Sequence, residues 1–250
     1  MTGGPSVEDL AEAVGALVAP VFASLEVLAG EVLACRRRAP GSGCTERDLV
    51  PLERAIAPRL AAHPAVLGMG YVAAPWAVEG QERYLLWWQR TGEDLARLRL
   101  NFDPSSVDVY DYLQMEWYRA AASGGVRNAF GPYVDYSGSG SYVVTASVPA
   151  VDAEGTFVGV AGADISMAHL ESRLIAILRT VPVETVVMND EARVLAANTA
   201  RWVVGARLST LASEGSRDGF VQEVAVPGGF GWRVATTGTP VPGTPLTENI

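Results

Sequence analysis

A change of periodicity at His63 constrains the fold of this chain more than any other feature. Over Val7–Arg37 and again over Thr45–Ala62, apolar residues recur at helical intervals, and each stretch begins with the spacing of a capping box. After His63 the apolar residues come in short aliphatic and aromatic runs separated by turn clusters. The sequence therefore predicts helices first and antiparallel strands afterwards, which is an α+β fold.

The middle of the chain is predicted to form the larger of two sheets. Strands are expected at 65–73, 82–89, 95–102, 142–149 and 155–164. A short helix is expected to start near Tyr112, and the stretch from Gly131 to Gly140 is predicted to be a loop or turn.

The last third is predicted to form a smaller α+β unit. A helix over Ser166–Leu178 precedes four expected strands, at 184–188, 192–197, 219–226 and 230–236. The resulting organisation is N-terminal helices at 1–62, a larger module at 63–165, a linking helix with a smaller module at 166–236, and a disordered tail at 237–250.

Composition excludes several classes of function. The formal net charge is −9, every one of the 19 basic residues is arginine, and there are two histidines and two cysteines. A chain without lysine has no Schiff-base or phosphate-loop lysine, and the scattered His and Cys residues do not form a zinc motif. The acidic balance argues against a nucleic acid partner. We expect no metal and no cofactor, and a small molecule or a protein as the partner.

The N-terminal region predicts no membrane segment. No basic run precedes an apolar stretch as in a signal peptide, and the longest apolar tract, Val14–Ala34, contains Glu26 and Glu31. We therefore expect an amphipathic helix, no membrane span and a cytoplasmic location. Cys35 and Cys44 are predicted to be free thiols, with a disulfide between them as the alternative.

One aromatic block offers the materials of a binding pocket. Six residues between positions 110 and 164 combine aromatic faces with carboxylates: Tyr110, Trp117, Tyr118, Tyr133, Asp135 and Asp164. Aromatic faces and carboxylates both attract cations. The alternative is that these rings are ordinary core residues.

The order of these segments resembles the double Cache sensor domains of bacterial receptors. The resemblance covers residues 7 to 236, and it is carried by YDY..MEWY from Tyr110, GPYVD from Gly131 and GVAGAD ending at Asp164. It implies two PAS-like antiparallel-sheet modules, the larger one membrane-distal and the smaller one proximal. It also implies a parallel homodimer through the N-terminal helix and a regulatory protein partner.

In the branch that binds amino acids and amines, an arginine grips the ligand carboxylate, while aromatic residues and an aspartate hold the amine. The resemblance places those aromatic and acidic roles on Tyr110, Trp117-Tyr118, Tyr133 and Asp164. The arginine position holds Met115, and a thioether cannot bind a carboxylate.

The departure at Met115 predicts a ligand with a positive nitrogen and no α-carboxylate, such as an amine, a polyamine or a quaternary ammonium compound. Glu116 and Asp135 would add negative charge beside the matched positions. Receptors with this domain usually carry a transmembrane helix on each side of it, and the sequence predicts neither. We therefore expect a stand-alone bacterial sensor for signalling or transcriptional regulation, with the excised sensor of a longer receptor as the alternative.

Two other outcomes remain open for this pocket. Arg90, Arg99 or Arg119 would restore amino-acid binding if one of them entered the pocket, and a pocket filled by its own side chains would indicate a protein-interaction module. Trp87 and Trp88 point to opposite faces of a strand, which favours one in the core and one at an interface.

Enzymatic functions are weakly supported. Glu116 paired with Asp135 or Asp164 would suit glycoside hydrolysis, but acidic residues are plentiful enough for chance pairs. His169 has no nucleophile in a recognisable motif beside it. We therefore expect a binding module and not an enzyme.

Overall fold

The computed structural model describes residues 4–39, 44–103, 105–107, 109–124, 126–136, 138–209 and 219–241. The chain divides into two compact units, a large unit of Ala19–Ser166 and a small unit that combines Met1–Val18 with Met167–Ile250. The boundary between the two units falls inside the first helix, between Val18 and Ala19.

The described elements follow the predicted order. The helices are α1 Val7–Arg38, α2 Val50–Ala62, α3 Glu116–Gly124 and α4 Met167–Leu178, with short 3-10 helices at Glu46–Leu49 and Tyr112–Gln114. The strands are β1 Val66–Ala73, β2 Leu85–Thr91, β3 Asp94–Leu98, β4 Asn128–Val134, β5 Tyr142–Val151, β6 Phe157–Ser166, β7 Val183–Met188, β8 Val194–Ala197, β9 Phe220–Ala225 and β10 Arg233–Pro240. The α+β prediction with two antiparallel sheets is confirmed.

The large unit is built on a six-stranded antiparallel sheet in the order β3-β2-β1-β6-β5-β4. Asp164 of β6 lies between Gly68 of β1 and Thr145 of β5. Because side chains alternate along a strand, this register sends Asp164 and Thr145 to the same face. That face is also the one against which α3 packs.

The opposite face of the same sheet contacts α2. Arg90 lies on the face of β2 that α2 covers. Its guanidinium donates hydrogen bonds to the carbonyl oxygens of Leu60, His63 and Val66. Arg90 therefore caps the C-terminal end of α2, where a cation is favoured by the helix dipole.

Helix α1 is long and apolar enough to cross a membrane by length and composition, with a mean hydropathy of 1.8 over an 18-residue stretch. The expectation that it does not span a membrane stays a prediction, because a buried core helix meets the same criteria. Within the large unit several of its apolar residues are buried, including Phe22, Leu25 and Leu28, whereas Val27 is exposed. Glu26 and Glu31 form ion pairs with Arg127 and Arg59.

Strand β4 occupies a segment whose second half was predicted to be a loop. The prediction is wrong for 131–134, since β4 continues through Gly131-Pro132 at the edge of the sheet. Its register to β5 shifts between Phe130 and Tyr133, as a β-bulge does. An edge strand tolerates proline because it has a side without ladder hydrogen bonds.

The small unit has a four-stranded antiparallel sheet in the order β8-β7-β10-β9, and α4 packs against β7 and β8. Strand β10 extends to Pro240, which pairs with Val183, and Thr237 pairs with Phe220. The prediction of disorder is therefore wrong for 237–240, because these residues complete the sheet. Residues 242–250 of the predicted tail lie outside the described part of the chain.

Candidate functional site

A cavity of about 30 Å³ lies on the α3 face of the large sheet. Its lining joins strand residues to residues from α3 and the connecting segments: Val72, Leu85, Trp87, Leu98, Leu100, Tyr110, Trp117, Tyr133, Asp135, Gly138, Thr145 and Asp164. A water molecule needs about 10 to 15 Å³ of such space, so the cavity has room for about two water molecules. Five of the eight predicted site residues are brought together here: Tyr110, Trp117, Tyr133, Asp135 and Asp164.

Asp164 is the central ionisable group of the cavity. Its side chain is buried, with 8% of the residue exposed, and Oδ1 accepts a hydrogen bond of 2.6 Å from the Thr145 hydroxyl. Oδ2 makes no hydrogen bond to any described residue and is not among the fully enclosed atoms. One carboxylate oxygen therefore remains available to a group inside the cavity.

The charge of Asp164 has no cationic partner among the described lining residues. Burial raises the pKa of its carboxyl from 3.8 to about 7, the Thr145 hydrogen bond opposes the rise, and the Asp135 carboxylate adds to it. Near neutral pH the group is thus divided between its two protonation states. A cation placed beside it would favour the ionised form.

A short chain of hydroxyls supports Asp164. The Tyr133 hydroxyl lies 2.7 Å from the Thr145 Oγ1, which in turn donates to Asp164. Because an ionised carboxylate only accepts, the Thr145 proton is committed to Asp164 and the Tyr133 hydroxyl donates to Thr145. Burial holds the pKa of the Tyr133 phenol above its usual range, and the nearby Asp164 adds to this effect.

Asp135 has a different role from the free negative charge that the sequence suggested. Its carboxylate accepts hydrogen bonds from the Gly138 N–H at 3.1 Å, from the Ser139 N–H at 2.7 Å and from the Ser139 hydroxyl at 3.2 Å. These bonds fold the connection between β4 and β5 back on itself. Asp135 therefore positions Gly138 in the cavity wall, with its own hydrogen-bonding capacity largely committed.

Trp87 is a wall residue that the sequence left undecided between core and interface. A Cβ added to Gly68 would meet its Nε1, one added to Gly162 would meet its outer ring at 3.2 Å, and one added to Gly70 would meet its Cα. The indole thus lies over a strip formed by Gly68 of β1 and Gly162 of β6, while Gly70 faces the backbone of Leu86 and Trp87. The signal in the sequence was Gly68-x-Gly70, where alternation leaves one face of β1 without side chains.

Three predicted site residues lie outside the cavity lining. Met115 is half-buried against the aromatic core, and its carbonyl oxygen accepts the first hydrogen bonds of α3, from Tyr118 and Arg119. Glu116 is exposed at the start of α3. Tyr118 is buried, and its hydroxyl donates to the Ala73 carbonyl oxygen at 3.4 Å.

The three arginines considered as replacements for an arginine at position 115 do not line the cavity either. Arg90 is bound to the end of α2, as described above. Arg99 is exposed between two lining residues, Leu98 and Leu100, and Arg119 is exposed on α3.

The groups considered for catalysis are not assembled. Glu116 lies outside the cavity that holds Asp135 and Asp164, and His169 is exposed on α4 of the small unit. Among the described residues, no group of three or more His, Cys, Asp or Glu side chains is arranged to hold a metal ion. Cys35 and Cys44 are buried and free.

Comparison with known families places this site in a recognised kind of domain. Residues 52–172 match the family model described as the first PDC sensor domain of methyl-accepting chemotaxis protein-like proteins. This segment is thus similar to a PDC, or Cache-type, sensor domain. The match spans just under half of the chain and includes every residue of the cavity lining. No curated protein sequence matches the chain.

Solved structures share the fold at low sequence identity. The ligand-binding domain of the Pseudomonas aeruginosa PAO1 amino-acid chemoreceptor PctC, in complex with GABA, is 18% identical with a TM-score of 0.55, over 90% of this chain and 94% of that one. The ligand-binding domain of the Campylobacter jejuni chemoreceptor Tlp3, in complex with L-valine, is 19% identical with a TM-score of 0.52, over 77% and 69%.

The extracellular domain of a candidate histidine kinase, soHK1S-Z6, is 18% identical with a TM-score of 0.54. The match covers 74% of this chain but only 65% of that domain. At these identities the likenesses establish the fold, and the proteins compared are sensor domains of chemoreceptors and kinases.

Proposed function

We propose that the large unit binds a small organic cation, an amine or a quaternary ammonium compound, in the cavity around Asp164. The observation that carries the proposal is a buried carboxylate with one oxygen free and no cation among the described residues that line the cavity. An uncompensated buried charge is costly, and a ligand cation would offset that cost.

The aromatic residues of the cavity support the same ligand class. Tyr110, Trp117 and Trp87 bring ring systems to the wall that also holds Asp164. A cation over such a face gains about 0.5 to 2 kcal/mol, with the larger values where it is desolvated. The family resemblance assigns the amine end of the ligand to Tyr110 and Trp117, but not to Trp87.

The lack of a cation in the described cavity lining argues against a ligand carboxylate. Neither Met115 nor any described lining residue offers a guanidinium or ammonium to a carboxylate. A zwitterionic amino acid would therefore satisfy Asp164 with its ammonium group and leave its own carboxylate unpaired, at a cost of several kcal/mol if fully buried.

Thermal stability and calorimetric titration test the proposal on the purified chain. Benzyltrimethylammonium and phenethylamine are expected to raise the melting temperature, whereas phenylalanine is not. Asp164→Asn should abolish the effect, and Asp190→Asn, the same change in the small unit, should preserve it. Stabilisation by phenylalanine alone, or an unchanged response of Asp164→Asn, would overturn the proposal.

The raised pKa of Asp164 gives a second readout. Between pH 5 and pH 8 the ionised fraction of Asp164 rises, so the affinity for a permanently charged cation should increase by up to about 100-fold and level off above pH 8. Benzyltrimethylammonium suits this titration because its own charge does not change. A flat pH profile would contradict the role of Asp164.

Two other functions have an observation in their favour. The solved chemoreceptor domains hold GABA and L-valine, which favours an amino-acid sensor in which Arg90, Arg99 or Arg119 reaches the ligand after rearrangement. The cavity volume of about 30 Å³ favours a filled pocket and a protein-interaction module. Stabilisation by amino acids would select the first, and no response to any small molecule would select the second.

We further propose that the chain works as a dimer through α1 and passes its signal to a separate regulatory protein, which controls signalling or transcription. Its proposed location is the cytoplasm, supported by the burial of several apolar residues of α1 inside the large unit. Light scattering of the purified chain tests the dimer, and reporter fusions that are active on only one side of the membrane test the location. A monomer at high concentration, or activity of the exported reporter, would refute the corresponding statement.

A further inference from the structure

The cavity lining is divided into a polar half and an apolar half by the order of the strands. Asp164, Thr145 and Tyr133 belong to β6, β5 and β4, which form one side of the sheet. The strand residues on the other side are apolar, with Val72 on β1, Leu85 and Trp87 on β2, and Leu98 on β3. The boundary between the two halves runs between β1 and β6.

From this division we infer that the ligand carries a single positive charge at one end and an uncharged apolar body at the other, as an alkylamine or arylalkylamine does. The inference rests on the proposed function, because it starts from a cation at Asp164. Neighbouring strands are about 4.8 Å apart, so a body lying over β1 and β2 extends roughly 5 to 10 Å from the charge.

The apolar half argues against a second charge on the ligand. A diamine that placed one ammonium at Asp164 would bring the other over Leu85 and Leu98, where the described lining offers no carboxylate. Nor can Asp135 replace one, because its carboxylate already accepts hydrogen bonds from Gly138 and Ser139. A buried ammonium without a partner is strongly disfavoured.

The apolar half also argues against a cation without a body. A ligand as small as tetramethylammonium would not reach Leu98 and Leu100, the half-buried leucines of the apolar half, and would gain nothing from burying their remaining surface. Each buried methylene of a larger ligand contributes about 0.8 kcal/mol. An amine with an apolar body therefore exploits both halves of the cavity. The lining side chains must move apart to admit it, because the cavity of about 30 Å³ is smaller than such a ligand.

Calorimetric titration at pH 8 with four probes tests the inference on the full chain. Phenethylamine and isoamylamine are expected to bind at least about tenfold more tightly than 1,4-diaminobutane and tetramethylammonium. Equal or tighter binding of diaminobutane or tetramethylammonium would overturn the inference while leaving the proposed function intact. Failure of all four cations would overturn the proposed function and this inference with it.

A charge placed in the apolar half gives an independent test. Leu98→Glu puts a carboxylate on the edge strand β3, where the leucine is only half-buried, so the substitution is compatible with folding. It should reverse the preference, so that diaminobutane binds at least about tenfold more tightly than phenethylamine. Leu98→Gln, of matched shape and without charge, should not do so. An unchanged preference in the folded Leu98→Glu protein would overturn the inference.

Discussion

Replacing Asp164 with asparagine is expected to stabilise the protein more at pH 8 than at pH 5. In the folded protein, burial raises the pKa of this carboxyl from 3.8 to about 7. At pH values between 3.8 and about 7, the unfolded chain has released the proton that the folded protein still holds. The folded state therefore loses stability as the pH rises through this window, and the loss levels off above the folded pKa.

The size of the effect follows from the pKa difference of about 3 units, which corresponds to roughly 4 kcal/mol at high pH. Over the accessible interval from pH 5 to pH 8 the expected change is about 2 to 3 kcal/mol. Asparagine does not titrate, and its amide oxygen can still accept the Thr145 hydrogen bond. The free energy of unfolding of the variant minus that of the unaltered protein should increase by this amount over the same interval.

Urea unfolding of both proteins at pH 5 and pH 8 measures this difference, and the titration of every other group cancels in the comparison. Thr145→Val is the informative companion, because it removes the hydrogen bond that lowers the Asp164 pKa. It should move the loss of stability to higher pH. A difference between Asp164→Asn and the unaltered protein that stays within about 0.5 kcal/mol at the two pH values would refute the reasoning.

Three further predictions concern the cavity and its walls. Gly70→Ala would press a methyl group against the Leu86 carbonyl oxygen and should lower the free energy of unfolding by about 1 to 3 kcal/mol, seen as a lower denaturation midpoint. Gly30→Ala, in an open helical position, should be neutral or stabilising. A midpoint unchanged by the first substitution would contradict the packing described. Asp135→Ala removes the acceptor for three hydrogen bonds in its loop and should destabilise by about 1 to 3 kcal/mol, measured by thermal unfolding, and full stability would show that the loop does not depend on it. Met115→Arg should give measurable binding of phenylalanine by calorimetry, whereas Met115→Leu should not. If neither variant binds phenylalanine, position 115 does not contact the ligand carboxylate.

Local sequence signals located the elements of the large sheet but not all of their bounds. Periodicity and capping predicted α1 and α2 well, because those signals are carried by residues close together in the chain. The local signals failed at β4, where Gly131-Pro132 has the composition of a turn. Only the neighbouring strand β5 makes that segment a strand, and a window confined to 131–140 does not contain it.

The site was predicted in part for a similar reason. Asp164, Thr145 and Tyr133 meet through strand pairing across 19 and 12 residues of sequence, and Thr145 gave no sign of its role in the sequence. Alternation showed that Trp87 and Trp88 face opposite sides of β2, but the register decides which side holds the cavity. The assignment of Tyr118 rested on a resemblance, and its hydroxyl is taken by the Ala73 carbonyl oxygen.

The contact between Trp87 and the glycine strip should couple the evolution of positions that lie far apart in the sequence. A side chain gained at Gly68 or Gly162 would collide with the indole, and a smaller residue in place of Trp87 would leave an empty space above the strip. Neither change is tolerated well alone, whereas the two together exchange one shape of wall for another. Among descendants of this chain, positions 68, 87 and 162 should therefore vary together, and their combined change would mark lineages that have altered the size of the ligand they accept.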